Sequence, residues 1–339
     1  ATSLAGAVTS VPGAAVAELK TRLRGELLLA GDGGYDAARR IWNGMIDRRP
    51  ALIARCDGVS DVVQSIAFAR EHDLLLAVRG GGHSLSGQSV CEGGMVIDCS
   101  QMQSVRVDPI TRTARVEPGT LLGALDREAQ FHGLVTTAGT VSHTGCAGLT
   151  LGGGQGRLQR KFGLACDNLI SADVITAQGK FVHANEKENP DLYWGLRGGG
   201  GNFGIVTSFE YRLHPFGPKV LAGPIIYPAD QAKDVYRFYA DFTANAPDEL
   251  HLVVALVSPT GGKPLVSVEA CYAGDIAQGE RVIEPLRRFG KPLADQIKVT
   301  DYIAVQQSAD KVNAPGQNFY AKSGFLAKMM ALQEDAERR

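Results

Sequence analysis

The sequence predicts an α+β fold in two domains, and three observations carry that prediction. Short apolar runs of strand length alternate with amphipathic helical stretches, but without the regular repeat of a doubly wound sheet. Glycine is concentrated at 79 to 94, 145 to 156 and 195 to 204, where clustering indicates close backbone approach and not a flexible linker. At 339 residues the chain is also too long for one small core.

The opening "ATSLAGAVTSVPGAAVA" lacks a basic stretch and a continuous apolar run, and reads as a loose tail and not a secretory leader. "PALIARC" is a short buried strand, and "SDVVQSIAFAREH" an amphipathic helix with Val62, Val63, Ile66 and Ala69 on one face and Ser60 as its N-cap. "LLLAV" then completes a βαβ unit. The pattern changes to the short strands "GGMVIDCS", "QSVRVDP" and "TARVEPG", followed by a helix from Thr120 to Gly133. "ADVITAQGKFVHA" reads as a hairpin through "AQGK", and "GIVTSFEYRLHP" as an alternating strand ending at Pro215. A domain boundary is expected at 215 to 222. Beyond it, "HLVVALVSP" and "LVSVEACYAG" are strands while "DQAKDVYRFYADFTANA" and "AQGERVIEPLRRFG" have helical period, which predicts a sheet covered by helices.

A net charge of -1 gives no bulk attraction for nucleic acid or an anionic membrane, so neither is an expected partner. No apolar run is long enough to span a bilayer. The six cysteines form no CxxC pair and no cysteine-histidine alternation at zinc-ligand spacing, so no metal is expected. Free thiols point to a reducing compartment, the cytoplasm, with secretion left open.

Glycine motifs mean little without their structural context. "GGGNFG" satisfies the dinucleotide pattern through Gly199, Gly201 and Gly204, but the segment after it alternates like a strand, so no helix N-terminus is available for a pyrophosphate. The phosphate-loop pattern GxxxxGK[ST] is absent. "RGGGHS" follows a strand and precedes polar, turn-rich sequence. On its own it is either a nest of successive N–H groups for an anion or a tight turn with a structural histidine.

"AVRGGGHSLSG", "AGTVSHTGCAGLTLGGGQGRLQRKFGLACDNLISADVITAQGK" and "NPDLYWGLRGGGGNFGIVTSFEYRLHP", in that order and spacing, resemble the FAD-binding domain of berberine-bridge-enzyme-like flavoproteins, which have the vanillyl-alcohol-oxidase or PCMH-type fold. The resemblance runs from about Tyr35 to Pro218. It implies a lead-in at 1 to 34, a two-subdomain FAD-binding domain at 35 to 218, and a substrate domain at 219 to 339.

In that family the histidine of "RGGGHS" is bonded to the flavin 8α-methyl, which makes His83 the attachment residue here. Gly80, Gly81, Gly82 and Ser84 then surround the phosphates, with Arg79 and Gly87 as further cofactor-binding positions. A neutral imidazole is a capable nucleophile near pH 7. Val141, Ser142, Thr144, Gly145 and Gly148 would lie against the ring, and Gly152 and Gly153 near the ribityl chain. Asn168, Gly204, Ile205 and Val206 fall at positions near the ribityl or adenosine part, or serve domain packing. The cysteine of doubly tethered members aligns with Val141, so a single histidyl link is expected, with Cys146 as the fallback for a second. His143, the titratable residue of the ring-lining segment, and Tyr320 are the catalytic candidates, and Tyr320 and Lys322, on a strand "NFYAKSGF", are possible substrate contacts.

Family members continue past the equivalent of Arg339 with a tyrosine-rich segment that often carries the catalytic base. No counterpart lies in this sequence, so either the chain is incomplete relative to the family or its site is completed otherwise. The reading that follows is a FAD-dependent oxidoreductase, an oxidase in preference to a dehydrogenase. It would oxidise a C–H bond of a small alcohol, sugar or secondary metabolite, with O2 as acceptor. The alternatives are a flavin-retaining protein without turnover and a nicotinamide-dependent dehydrogenase using "GGGNFG".

Overall fold

Apolar residues at every position of two short runs produce strands buried on both faces, as parallel pairing requires. The computed structural model, which describes residues 1 to 259 and 261 to 324, shows this arrangement. In chain order it opens with α1 (Gly13–Arg22), β1 (Glu26–Leu28), α2 (Tyr35–Arg39), β2 (Leu52–Arg55), α3 (Val59–Glu71), β3 (Leu76–Arg79) and β4 (Met95–Asp98). The sheet order is β1-β2-β4-β3, with β4 parallel to both neighbours. Leu52, Ala54, Met95 and Ile97 turn to the core under α1 and α3, while Ile53 and Val96 turn to the opposite core with Tyr35 and Ile41.

Three sequence expectations are corrected here. The N-terminal stretch is not loose: residues 13 to 22 form α1, and Ala15, Val16 and Leu19 pack on the first core. Ser60 does not cap α3. Gly58 holds the cap position, and the buried Asp61 carboxylate of the first turn instead accepts the amides of Arg24, Gly25 and Asp57. The βαβ unit is real, but "GGMVIDCS" supplies β4 between its two strands, a pairing that local patterning could not reveal.

The chain continues through β5 (Val105–Asp108), β6 (Thr113–Val116), α4 (Leu122–Phe131), β7 (Leu134–Val135), α5 (Cys146–Leu151), α6 (Gln159–Phe162), β8 (Leu169–Ile175), β9 (Phe181–Asn185), α7 (Pro190–Leu196), β10 (Ile205–Arg212) and β11 (His214–Pro215). An antiparallel sheet in the order β5-β6-β10-β8-β9 packs Val116, Val174, Val206 and Phe209 against Leu122, Leu125 and Ala129 of α4 and Leu196 of α7. Phe209 and Val174 are fully buried, and truncating such a residue to alanine costs about 2–5 kcal/mol.

Apart from residues 159 to 161 of α6, these elements make one unit: Ala1–Gly156, Phe162–Phe216 and, returning from far along the chain, Gln306–Tyr320. Residues 318 to 324 form no strand, contrary to the reading of "NFYAKSGF".

A second unit comprises Arg157–Lys161, Gly217–Val305 and the described residues after Tyr320. It holds β12 (Lys219–Pro228), α8 (Ala232–Thr243), β13 (Leu250–Val257), β14 (Leu265–Tyr272), α9 (Ile276–Arg288), β15 (Ala294–Asp295), β16 (Lys298–Asp301) and most of α10 (Tyr302–Gln306). Alternate residues Leu221, Ile225 and Tyr227 of β12 and Val266, Val268 and Tyr272 of β14 share a core with Val235 of α8 and Ile283 of α9. This is the helix-covered sheet that the periodicity predicts.

Candidate functional site

In open parallel sheets ligands gather beyond the carboxyl ends of strands, and "RGGGHS" begins at the carboxyl end of β3, on the sheet edge. The chain there is neither strand nor helix. Gly80 and Gly81 are required by the protein's own packing. A Cβ on Gly80 would lie 2.7 Å from the Pro118 carbonyl oxygen, and one on Gly81 would lie 2.5 Å from Cα of Gly145. Gly82 has φ +68°, a conformation that other residues rarely adopt, with the Arg79 guanidinium 2.9 Å from where its Cβ would be.

Among the described residues, no backbone carbonyl accepts from the amides of Gly80, Gly81, Gly82, His83 or Ser84. A row of free N–H groups is an anion-binding nest. Arg79 adds positive charge beside it, held by a hydrogen bond to the Ala38 carbonyl and by the buried Asp98 carboxylate at 3.8 Å.

His83 projects from this loop with its Nε2 buried and without a hydrogen-bond partner. Burial, with a smaller contribution from His143, lowers its pKa from 6.5 to about 4, so the ring is neutral at pH 7. Trp42 stacks on it at 4.1 Å between ring centroids, and His143 lies tilted at 5.2 Å, its Nε2 likewise buried and unpaired.

Two cavities share Arg79, Gly81, Gly82 and His83 as a common wall. The larger, about 770 Å³, contains His83, His143, Trp42 and Arg39. The other, about 620 Å³, runs from β3 along the glycine loop to Thr144, Gly145, Gly148 and Gly152, and on to Gly204, Ile205 and Val206. At Gly148 and Gly201, both on its wall, a Cβ would meet nothing within 4 Å. Those side-chain positions open into space large enough for a ligand.

The site residues read from the sequence therefore divide. Arg79, Gly80, Gly81, Gly82, His83, Ser84, Thr144, Gly145, Gly148, Gly152, Gly204, Ile205 and Val206 line the smaller cavity, and His143 the larger. Gly87, Val141, Ser142, Gly153 and Asn168 line neither. Gly87 packs on Ile46, and Ser142 bonds through its amide (2.8 Å) and hydroxyl (2.6 Å) to Asp310. The Asn168 amide spends its hydrogen bonds internally, donating to the carbonyls of Phe162 and Leu164 and pairing with His214. Tyr320 is 76% exposed and lines neither cavity; Lys322, also exposed, belongs to the second unit.

Cys146 is 1% exposed in the core under α4, lines neither cavity, and has its thiol pKa pushed up by desolvation. All six cysteines are free and buried.

Sequence reasoning missed Trp42 and the cavity residues Pro118, Leu121 and Gln88, and it named Gly201 only for a dinucleotide pattern. The signal for Trp42 was one of only two tryptophans in the chain, in "IWNGMIDRRP". "GGGNFG" is followed by β10, so no helix N-terminus is available for the dinucleotide reading.

The flavin adenine dinucleotide implied by the sequence fits these residues. Free amides suit a pyrophosphate, the open Cβ positions of Gly148 and Gly201 leave room for bulk, and an unpaired neutral Nε2 suits a covalent link.

Comparison with known proteins agrees. Residues 50–185 match the FAD binding domain family. A FAD-linked oxidoreductase of Dictyostelium discoideum is 34% identical over 291 residues, covering 85% of this chain and 63% of its own length. The crystal structure of 6-hydroxy-D-nicotine oxidase from Arthrobacter nicotinovorans superimposes with a TM-score of 0.80 at 34% identity, over 87% of this chain and 66% of that one. Xylooligosaccharide oxidase from Myceliophthora thermophila gives 0.77 at 26% identity, over 93% and 65%. The chain thus spans about two thirds of the length of the proteins it matches.

Proposed function

The chain belongs to the berberine-bridge-enzyme-like FAD-linked oxidoreductases, with their PCMH-type FAD-binding fold, and on that premise we propose that it is an oxidase holding FAD covalently through His83. Its proposed substrate is a small alcohol, sugar or secondary metabolite, a range that takes in the hydroxynicotine and the xylooligosaccharide for which two of its structural neighbours are named. The observation that carries this reading is His83 itself: a neutral, unpaired imidazole on the wall between two cavities, at the end of a row of free amides.

Bound FAD would supply a two-electron acceptor that takes hydride from the substrate carbon and passes the electrons to O2, giving hydrogen peroxide. The chain's own contribution is binding and orientation. The amides of Gly80 to Ser84 and the Arg79 guanidinium would balance the pyrophosphate charge. Thr144, Gly145, Gly148 and Gly152, which line the smaller cavity, would flank the ring and ribityl chain, and Gly204, Ile205 and Val206 at its far end would hold the ribityl or adenosine part. Of the two candidates for the substrate's hydroxyl or amine proton, His143 shares a cavity with His83, whereas Tyr320 lines neither cavity.

Acid denaturation tests the tether. Flavin fluorescence is expected to stay with the peptide that carries His83, and His83→Ala is expected to release it. Complete release of flavin from the wild-type chain would overturn the tether. Oxidase activity is read separately: the yellow protein should bleach anaerobically with a member of a sugar and alcohol panel and recover its colour in air.

A further inference from the structure

The residues around Trp42 do more than fill space. Its indole face lies against the His83 imidazole at 4.1 Å and 17°, and its other face is covered by Phe319 at 3.9 Å and 16°. The indole is locked in that slot. Its amide donates to the Gly82 carbonyl at 2.9 Å, next to His83, and its Nε1 donates to the Asn313 carbonyl. Its own carbonyl accepts from Gly316 at 2.9 Å, and Phe319 is clamped in turn by both ends of the Asn43 amide.

An imidazole lone pair lies in the plane of the ring. A partner stacked on the face therefore fixes the ring's rotation without obstructing the edge, and here that edge carries a buried Nε2 with no partner. Face-stacking is the contact that orients a nitrogen nucleophile while leaving it free to react.

We propose that Trp42, backed by Phe319, is a positioning residue for covalent attachment of the flavin to His83. The inference rests on the tether reading above. In the net step a C–N bond forms between the imidazole nitrogen and the 8α-carbon, and one methyl C–H and the imidazole N–H are lost. The two protons and two electrons go to O2, which becomes hydrogen peroxide.

The test compares total flavin, measured by absorbance of the native protein, with the part that stays on the acid-precipitated chain. At equal total flavin, Trp42→Ala should lower the covalent part by about tenfold or more, since misorientation by an ångström costs that and beyond. Trp42→Phe, which keeps a flat face, should restore most of it, and Phe319→Ala should fall between. A covalent fraction in Trp42→Ala equal to wild type overturns the proposal, as does a loss of total flavin with the covalent fraction unchanged. Should Trp42→Ala not fold, Trp42→Leu fills the volume without a flat face, and full attachment in that variant has the same force. Absence of covalent flavin in the wild type is a different result, and it removes the tether itself.

Discussion

Gly81 and Gly148 lie on the same cavity and in motifs of the same look, yet they are glycine for opposite reasons. A side chain on Gly81 would run into the backbone of Gly145, so two segments of the unit touch only because neither has a Cβ. A side chain on Gly148, within α5, would meet nothing and would point into the cavity. One glycine keeps the protein together and the other keeps a space open. A glycine-rich motif thus mixes structural and ligand-facing positions that its spelling does not separate.

The largest effect that tests this contrast is on folding. Gly81→Ala should destabilise the chain by about 3 kcal/mol, because backbone has to move to admit the methyl, and urea unfolding of the flavin-free protein reads it. Unchanged stability there would erase the distinction. Gly148→Ala should do the reverse: it gains up to about 1 kcal/mol of helix propensity, while flavin content per chain falls severalfold. A variant that is both stabilised and fully loaded would show that the open position faces nothing of consequence.

The smallest effect is the absence of one. With His83 held near 4 by burial, the rate of flavin attachment should stay level from pH 7 down to about 5, where an ordinary imidazole would halve it near 6.5. The folded ring binds its proton less readily than the unfolded one. The stability this confers is accordingly present above pH 6.5 and is lost as pH falls from there through 4. A midpoint of attachment near 6.5 would mean that the ring is not desolvated.

Much of this was legible beforehand because it is local. The strand, helix and strand at 52 to 79, the hairpin of β8 and β9, and the alternation of β10 follow from period and turn chemistry alone, and the loop at 80 to 84 from its glycines. What escaped depends on contacts between distant parts of the chain. Nothing near β4 says that it inserts between β2 and β3, and nothing near Ser142 says that Asp310 will occupy its amide and hydroxyl. Asn168 has a residue type suited to a ligand, but the carbonyls of its own turn claim it. Trp42 gave no periodic signal, because its meaning comes from His83 on one face and Phe319 on the other.

The return of Gln306–Tyr320 to the first unit also fixes an order of events. Asn43 is bonded to Phe319 across 276 residues of chain, so the wall behind Trp42 is missing while everything between is being synthesised. The sheets of the first unit can form from residues already out of the ribosome, since their strands all precede residue 216. The backing of the histidine cannot. A nascent chain therefore carries the glycine loop, His83 and Trp42 before the segment that backs Trp42, and the slot around the indole closes only when that distal segment docks.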